Sequence, residues 1–287
     1  MCNLWPVPES IDQLNRQNMK KIFIWAFVLL FSIAASGQNK QTRNVGDFTR
    51  VSFRVPGKLY LKQGGENKVE LEGPSDLLKE IETEVKDGRL VIGKEGKWMN
   101  WNWDNDRITA YVTIKNLEGL SVSGSGDAIG ESKFNTGDLK LNVSGSGSIN
   151  LDATSSGNVE ADVSGSGDLQ WKGSCNNFDS DVSGSGKVII SVAIKGLADF
   201  GVSGSGKIQA DGTAKDVKTR ISGSGKVLAS NMEAESCDIS ISGSGDVEVN
   251  VKNSLDATIS GSGSVAYKGN PSHVNSHSSG SGHVRKM

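Results

Sequence analysis

The chain lacks the cysteines, the prolines and the charge surplus that mark several common classes of protein. Its charges nearly cancel, with 31 basic against 33 acidic residues, so no overall field favours nucleic acid or an anionic membrane. Five prolines and no Gly-X-Y period exclude collagen and a proline-rich linker. Apart from Cys2, the only cysteines are Cys175 and Cys237, which are too far apart to indicate a disulfide framework. We expect these two to be small buried side chains.

The N-terminus has the features of a secretory signal. Two lysines precede an apolar run over residues 22–35, which is too short for an ordinary transmembrane helix, and small residues follow it. We therefore predict a signal peptide over 19–37 and cleavage before Gln38. Residues 1–18 are interpreted as an upstream segment that is either non-native or misassigned, with translation beginning at Met19. The mature chain is then exported to the periplasm, the outer surface or the medium, with no transmembrane span.

Glycine is abundant instead, at 36 of 287 residues, and it is periodic. Ser-Gly-Ser-Gly occurs nine times, with successive spacings between 18 and 21 residues, a register that a flexible linker would not keep. The copies begin at Ser123, Ser144, Ser164, Ser183, Ser203, Ser222, Ser242, Ser260 and Ser279. This period indicates a solenoid.

The residues that flank each motif alternate between apolar and polar, which is the pattern of a β-strand. Valine or isoleucine stands just before the first eight copies, as at Val143, and apolar residues recur after the motif, as at Ile149 and Leu151. Stacking coils about 4.8 Å apart would join these positions into a buried column. Glycine at each corner permits positive φ and the close approach of stacked backbones.

These observations predict an all-β fold, a parallel β-helix or β-solenoid, over residues 119–287. We expect about 20 residues per coil, Ser-Gly-Ser-Gly corners, three sides and a right-handed coil. A β-propeller would need about twice this period, and a leucine-rich repeat would need a Leu/Asn pattern that is absent.

Residues 38–118 lack the motif but are rich in predicted strands. A brief helix is predicted at 74–81, with Pro74 in its first turn. The strands are predicted at 50–55, 58–64, 68–73, 89–93 and 108–114. We interpret this segment as an irregular cap on the solenoid, with a separate small β domain as the alternative.

The arrangement resembles the bacterial family described as putative auto-transporter adhesin, head GIN domain. The resemblance rests on FTRVSFRVPGKLYLKQG at 48–64, on VELEGPSDLLKEIETEVKDGRLVI at 69–92, and on the serial VSGSGD units. It covers nearly all of the mature chain. It implies a β-helical envelope protein, commonly with a signal peptide, and it brings no catalytic motif.

A tryptophan-rich segment is the first candidate ligand surface. Trp98, Trp101 and Trp103 are interleaved with polar residues that include Asn102 and Asp104. Aromatic faces beside amide and carboxylate groups suit sugar rings, and exposed aromatics also mark protein contacts. The alternative is that these tryptophans cap the open end of the core.

An acidic patch is the second candidate. Stacked coils should bring together Glu160, Asp162, Asp179, Asp181 and Asp199 on one outward face. Oxygen-rich patches of this kind can hold calcium. The alternative is that these carboxylates form an ordinary solvated face, whose charge resists aggregation. No dedicated calcium-loop spacing is present, so no metal site and no cofactor are assigned.

The sequence contains no catalytic motif, and no catalytic residue is assigned. We predict a non-enzymatic exported envelope or surface protein, adhesin-like or scaffolding, that binds a cell-surface glycan or an envelope protein through its solenoid faces. The alternative is a polysaccharide-acting β-helix enzyme, a lyase or a hydrolase. The nearly uniform coils lack the long insertions that would wall the cleft of such an enzyme.

Overall fold

The Ser-Gly-Ser-Gly turns of successive coils lie directly over one another. In the computed structural model Ser144 pairs in parallel with Ser164 of the next coil, and Ser164 pairs with Ser183. In the seven turns that begin at Ser144 to Ser260, the third residue also bonds to the turn before it, as where the Ser185 amide donates to the Gly165 carbonyl oxygen at 2.8 Å. These contacts build a β-solenoid of about eight turns about 20 residues apart, so the predicted fold class is confirmed.

The structure describes residues 39–94 and 107–287, and 23 strands in that part of the chain form one hydrogen-bonded sheet. The described residues also contain one short helix, α1, which spans Ser75–Glu80. The strands are β1 Asn39–Arg43, β2 Arg50–Phe53, β3 Gly57–Gln63, β4 Lys68–Gly73, β5 Glu82–Lys86, β6 Arg89–Gly93, β7 Ile108–Ile114, β8 Gly119–Gly124, β9 Asp127–Gly130, β10 Phe134–Thr136, β11 Leu139–Gly145, β12 Ser148–Ser155, β13 Val159–Gly165, β14 Asp168–Cys175, β15 Phe178–Gly184, β16 Lys187–Ile194, β17 Leu197–Gly204, β18 Lys207–Gly223, β19 Lys226–Gly243, β20 Asp246–Gly261, β21 Ser264–Lys268, β22 His273–Ser279 and β23 His283–Lys286.

Each early coil consists of two strands joined by the Ser-Gly-Ser-Gly turn. The strands before the turn (β8, β11, β13, β15 and β17) pair in parallel as one row, and those after it (β9, β12, β14 and β16) pair as another. In the next three coils the strand after one turn continues into the strand before the following turn, so β18, β19 and β20 each span nearly a whole coil. The return segments are therefore part of the sheet in these later coils.

The predicted inward columns form the core. All the valines and isoleucines just before the first eight motifs are buried, and Trp171 and Phe178 stack within it with ring centroids 5.4 Å apart. The indole Nε1 of Trp171 donates to a backbone carbonyl oxygen, so burial leaves no polar group unpaired there. Tyr267 is the exception among these columns, since it is only half-buried and its partner in the next coil is Lys286.

The N-terminal strands continue the same sheet. Strand β2 pairs in parallel with β8, and β3 pairs with β9, so both rows of the solenoid extend backward past the first motif. The five predicted strands and the helix after Pro74 are all present, whereas β1 and β5 were not predicted. Strand β5 forms a hairpin with β6 through Asp87 and Gly88, whose φ values of 49° and 71° suit the Asp-Gly turn.

Cys175 and Cys237 are buried and unpaired, as expected from their spacing. Burial raises the pKa of both thiols to about 12, so they stay protonated at neutral pH. In the described part of the chain no helix is long and apolar enough to cross a membrane. The predicted signal peptide at 19–37 and the segment before it lie outside the described residues.

The two glycines of each turn are needed for different reasons. Gly184, the first of its turn, has φ of 116°, and a Cβ there would lie 2.5 Å from the Gly165 carbonyl oxygen. Gly186, the second, does not have a positive φ of this kind, but its Cβ would lie 2.5 Å from Val163 Cγ1 and 2.6 Å from the Gly167 carbonyl oxygen of the preceding coil. Both glycines therefore allow the turns to approach closely; the first also permits the backbone conformation, and the second also leaves room for a core side chain.

We expect Gly184→Ala and Gly186→Ala to lower the melting temperature. The left-handed conformation costs an alanine about 1–2 kcal/mol and the backbone contact adds to it, while overpacking of the core costs about 1–3 kcal/mol. Gly137→Ala is the control, because Gly137 is exposed and has nothing within 4 Å of its Cβ position. Equal melting temperatures for Gly184→Ala and Gly137→Ala would contradict the steric account of the repeat.

Candidate functional site

A half-open groove of about 1240 Å³ crosses the outward face of the strands that precede the turns. Its lining extends over seven neighbouring strands, from Arg89 on β6 through β2, β8, β11, β13 and β15 to Asp199 on β17. Parallel strands lie about 4.8 Å apart, so the groove is roughly 29 Å long. One wall consists of the return segments, which contribute Asn158 and Asn177.

The charge of the groove changes sign along its length. One outward column runs in register through every strand of the floor. Its members are Arg89, Arg50, Gly119, Lys140, Glu160, Asp179 and Asp199. The first coils therefore present cationic side chains to the groove, and the later coils present carboxylates. Gly119, which has no side chain, lies between the arginines and Lys140.

The structure brings together the five carboxylates of the predicted acidic patch. Glu160, Asp179 and Asp199 occupy the same outward column in register. Asp162 and Asp181 follow two residues later on their strands. The first three line the groove, whereas the other two lie beside it.

Two cations neutralise part of this patch. Lys140 pairs with Glu160, and its Nζ also lies 3.8 Å from Asp162 Oδ2. The lysine lowers the pKa of the Glu160 carboxyl. At the β17 end of the patch, Arg220 Nη2 lies 2.8 Å from Asp199 Oδ1. The two groups form an ion pair, but their geometry is not that of a hydrogen bond. Glu160 and Asp199 thus have cationic partners already.

Asp162, Asp179 and Asp181 form the less compensated part of the patch. One carboxylate oxygen from each lies within 4.8 Å of the others. Burial, and then the charge of Glu160, raises the pKa of Asp162 to about 6. Burial, followed by the neighbouring aspartates, also raises the pKa of Asp179. Three oxygens at this spacing can share one calcium ion, whose ligands lie at about 2.3–2.6 Å, so the calcium hypothesis narrows to these three residues.

Millimolar calcium is expected to raise the melting temperature if this trio binds the ion, because a ligand that binds only the folded state stabilises it. Asp179→Asn combined with Asp181→Asn should abolish the shift. Asp238→Asn combined with Asp256→Asn is a matched control, since these residues also pair in register on adjacent coils. An unchanged melting temperature of the wild type in calcium would rule the hypothesis out.

Asp162→Asn is expected to stabilise the protein at pH 7.5. The pKa of Asp162 is about 6 in the folded chain and about 4 in the unfolded one, so the folded state holds more protons between these values and stability falls as pH rises through them. The free energy of unfolding should rise by about 1–2 kcal/mol, which is less than the full pKa shift would give because the Glu160 carboxyl titrates together with that of Asp162. This gain should vanish near pH 4. Melting curves across pH test this, with Asp152→Asn as an exposed control. A gain that does not change with pH would contradict it.

The tryptophan-rich candidate lies outside the described residues. Trp98, Trp101, Trp103, Asn102 and Asp104 all fall within 95–106, so their role as ligand surface or cap stays a prediction.

The basic end of the groove was not predicted from the sequence. Arg50 and Arg54 occupy outward positions of the predicted strand at 50–55, and Arg89 begins the one at 89–93. The alternation within these strands shows that the side chains face outward. It does not show that β6 lies beside β2, which brings Arg50 and Arg89 together.

Comparison with known proteins identifies the family. Residues 47–209 and 185–271 match the model of the family described as putative auto-transporter adhesin, head GIN domain. The chain belongs to this family. The resemblance found in its sequence is therefore confirmed, and no match was found among curated proteins.

Several solved structures have a fold similar to that of this head GIN domain protein. A putative lipid binding protein from Parabacteroides distasonis is 23% identical with a TM-score of 0.64, over 88% of this chain and 98% of that chain. A putative adhesin from Parabacteroides merdae is 21% identical with a TM-score of 0.63, over 88% and 97%. A putative adhesin from Parabacteroides distasonis is 22% identical with a TM-score of 0.62, over 88% and 98%. At these identities the likeness concerns the fold alone.

Proposed function

We propose that this protein is a non-enzymatic, adhesin-like protein of the cell envelope or surface, and that it binds a glycan chain in its groove. Membership of the adhesin family supports the general role. The groove itself supports the ligand class, because it is long, open along the solenoid face and lined mainly by polar side chains. The signal-like sequence at 19–37 supports export, which fractionation of cells that produce the full chain would test.

The lining suits a sugar better than a protein partner. Ser121, Asn135, Asn142, Asn158 and Asn177 supply hydroxyl and amide groups, which both donate and accept hydrogen bonds as sugar hydroxyls do. Protein interfaces usually have an apolar centre with large side chains. Among the apolar residues of the lining that the structure describes, the one large side chain with substantial exposure is Leu197, at 37%.

Hydrolysis is the competing function, and one observation favours it. The pKa of Glu160 is lowered while that of Asp162 is raised, and a separation of this kind allows one carboxyl to act as acid and the other as base. However, Lys140 contacts both carboxylates, and Asp162 does not line the groove. Only one carboxyl of the pair, Glu160, lines the groove, so binding remains the better account.

Asn142→Trp is expected to reduce glycan binding at least tenfold, because it fills the middle of the groove. Asn150→Trp is the matched control, since Asn150 is an outward residue of β12 in the same coil but outside the groove. A glycan array followed by titration of the best ligand measures binding, and melting curves check that both variants fold.

Three outcomes would contradict the proposal. The first is equal loss of binding in Asn142→Trp and Asn150→Trp, which would place the ligand elsewhere. The second is the release of reducing ends from a bound glycan, which would favour the hydrolase. Failure of every glycan to bind would also reject the proposed ligand class.

A further inference from the structure

Three arginines form the basic end of the groove. Arg50 on β2 and Arg89 on β6 are direct neighbours on parallel strands, so their backbones lie about 4.8 Å apart. Arg54 follows four residues after Arg50 and faces the same side. All three line the main groove and also a second depression of about 560 Å³ next to it. They therefore form a cationic ridge between two concave surfaces.

These arginines have no acidic partner among the described residues. Arg50 donates to the backbone carbonyl of Asp87, and Arg54 Nε donates to Ser52 Oγ at 3.0 Å. The Nε of Arg50 is enclosed without a hydrogen-bond acceptor. Like charges on directly opposed residues destabilise a sheet. The three guanidinium groups thus bring unused N–H donors and positive charge together, and no carboxylate in the described part of the chain pairs with them.

Acidic side chains lie on both sides of this ridge. Glu118 lines the main groove at this end, but its Oε2 accepts from Thr49 Oγ1 at 2.8 Å. In the second depression Glu84 pairs with Lys86 at 2.9 Å. Three arginines stand against Glu118 at this end of the main groove, so this end keeps a net positive charge.

Gly119 holds the position of Arg50. It stands between Arg50 and Lys140 in the outward column, and a Cβ there would lie 3.3 Å from Arg50 Cγ and 3.7 Å from its Cδ. The aliphatic stem of Arg50 therefore lies across the glycine, and this contact covers Gly119, which is buried. Gly119 acts as a positioning residue, because any side chain there would compete with the stem for the same space.

We propose that Arg50, Arg54 and Arg89 form an anion-binding subsite, and that the glycan is an acidic polysaccharide whose carboxylate or sulfate group binds there. This inference rests on the proposed function and names the class of its ligand. The guanidinium group presents paired donors that match the oxygens of both anions, and adjacent arginines can bind one anion together. The carboxylates of Glu160, Asp179 and Asp199 at the other end repel further anions, so the ligand carries sparse charge and binds in one direction.

The test uses the full chain and three dextrans of equal length: neutral, carboxymethylated at low density and sulfated at low density. We expect at least one charged dextran to bind ten times more tightly than the neutral one, with binding that weakens as salt increases. The two charged arms distinguish carboxylate from sulfate. Arg50→Gln combined with Arg89→Gln should remove this preference and leave the weaker affinity for neutral dextran.

Matched controls separate a specific subsite from general attraction. Lys187→Gln combined with Lys207→Gln removes two positive charges that are also neighbours in register, but outside the groove. Arg50→Lys combined with Arg89→Lys keeps the charge but loses the fork of donors, so it should lose most of the preference. Equal effects of the lysine and arginine double variants, or full binding by Arg50→Lys with Arg89→Lys, would overturn the proposal.

Failure of the subsite can be distinguished from failure of the proposed function. If neutral and charged dextrans bind equally and Asn142→Trp weakens the binding of both, the groove is a glycan site but the anion subsite is rejected. If no dextran binds, inorganic sulfate tests the subsite alone. It should raise the melting temperature of the wild type more than that of the arginine double variant, and equal shifts would reject the subsite.

Discussion

Close contact between the backbones of successive turns is the constraint on which the structure depends. The first glycine of each turn lies so near the carbonyl oxygen of the preceding turn that a Cβ would approach it to about 2.5 Å, as at Gly184. The amide of the following serine donates to that same carbonyl oxygen. Every coil is thereby held at one height and in one register relative to the next. The buried columns of valine and isoleucine can stack only because this register is kept.

The same register determines the surface. Residues about 20 positions apart become direct neighbours, so a change of charge from coil to coil appears as a change of charge along an outward column. Arginines at one end and carboxylates at the other produce a groove with two different ends. A repetitive scaffold thus carries a surface that is not repetitive, and any recognition has to lie in that variation.

Much of the fold could be predicted because the repeat makes residue spacing equivalent to position in space. The inward columns and the five acidic residues were found in this way, and Tyr267 differs because the last coil places Lys286 beside it. The strand order before the first motif could not be obtained from spacing. Strand β6 pairs with β2 although two strands, the helix and β5 lie between them in the sequence. No repeat in the sequence therefore indicates that Arg50 and Arg89 are neighbours. The Asp87–Gly88 pair was a local signal of that hairpin.

The location of the groove near the start of the sheet has a consequence for the remaining coils. Its lining ends at Asp199, while β18, β19 and β20 continue the stack with nearly complete coils of one strand each. Each of these coils contributes about 4.8 Å of length. Because every coil contacts only its neighbours, coils after β18, which holds the Arg220 partner of Asp199, could be gained or lost without touching any residue of the lining. The length of the solenoid and the composition of its groove are therefore independent of each other in this part of the stack.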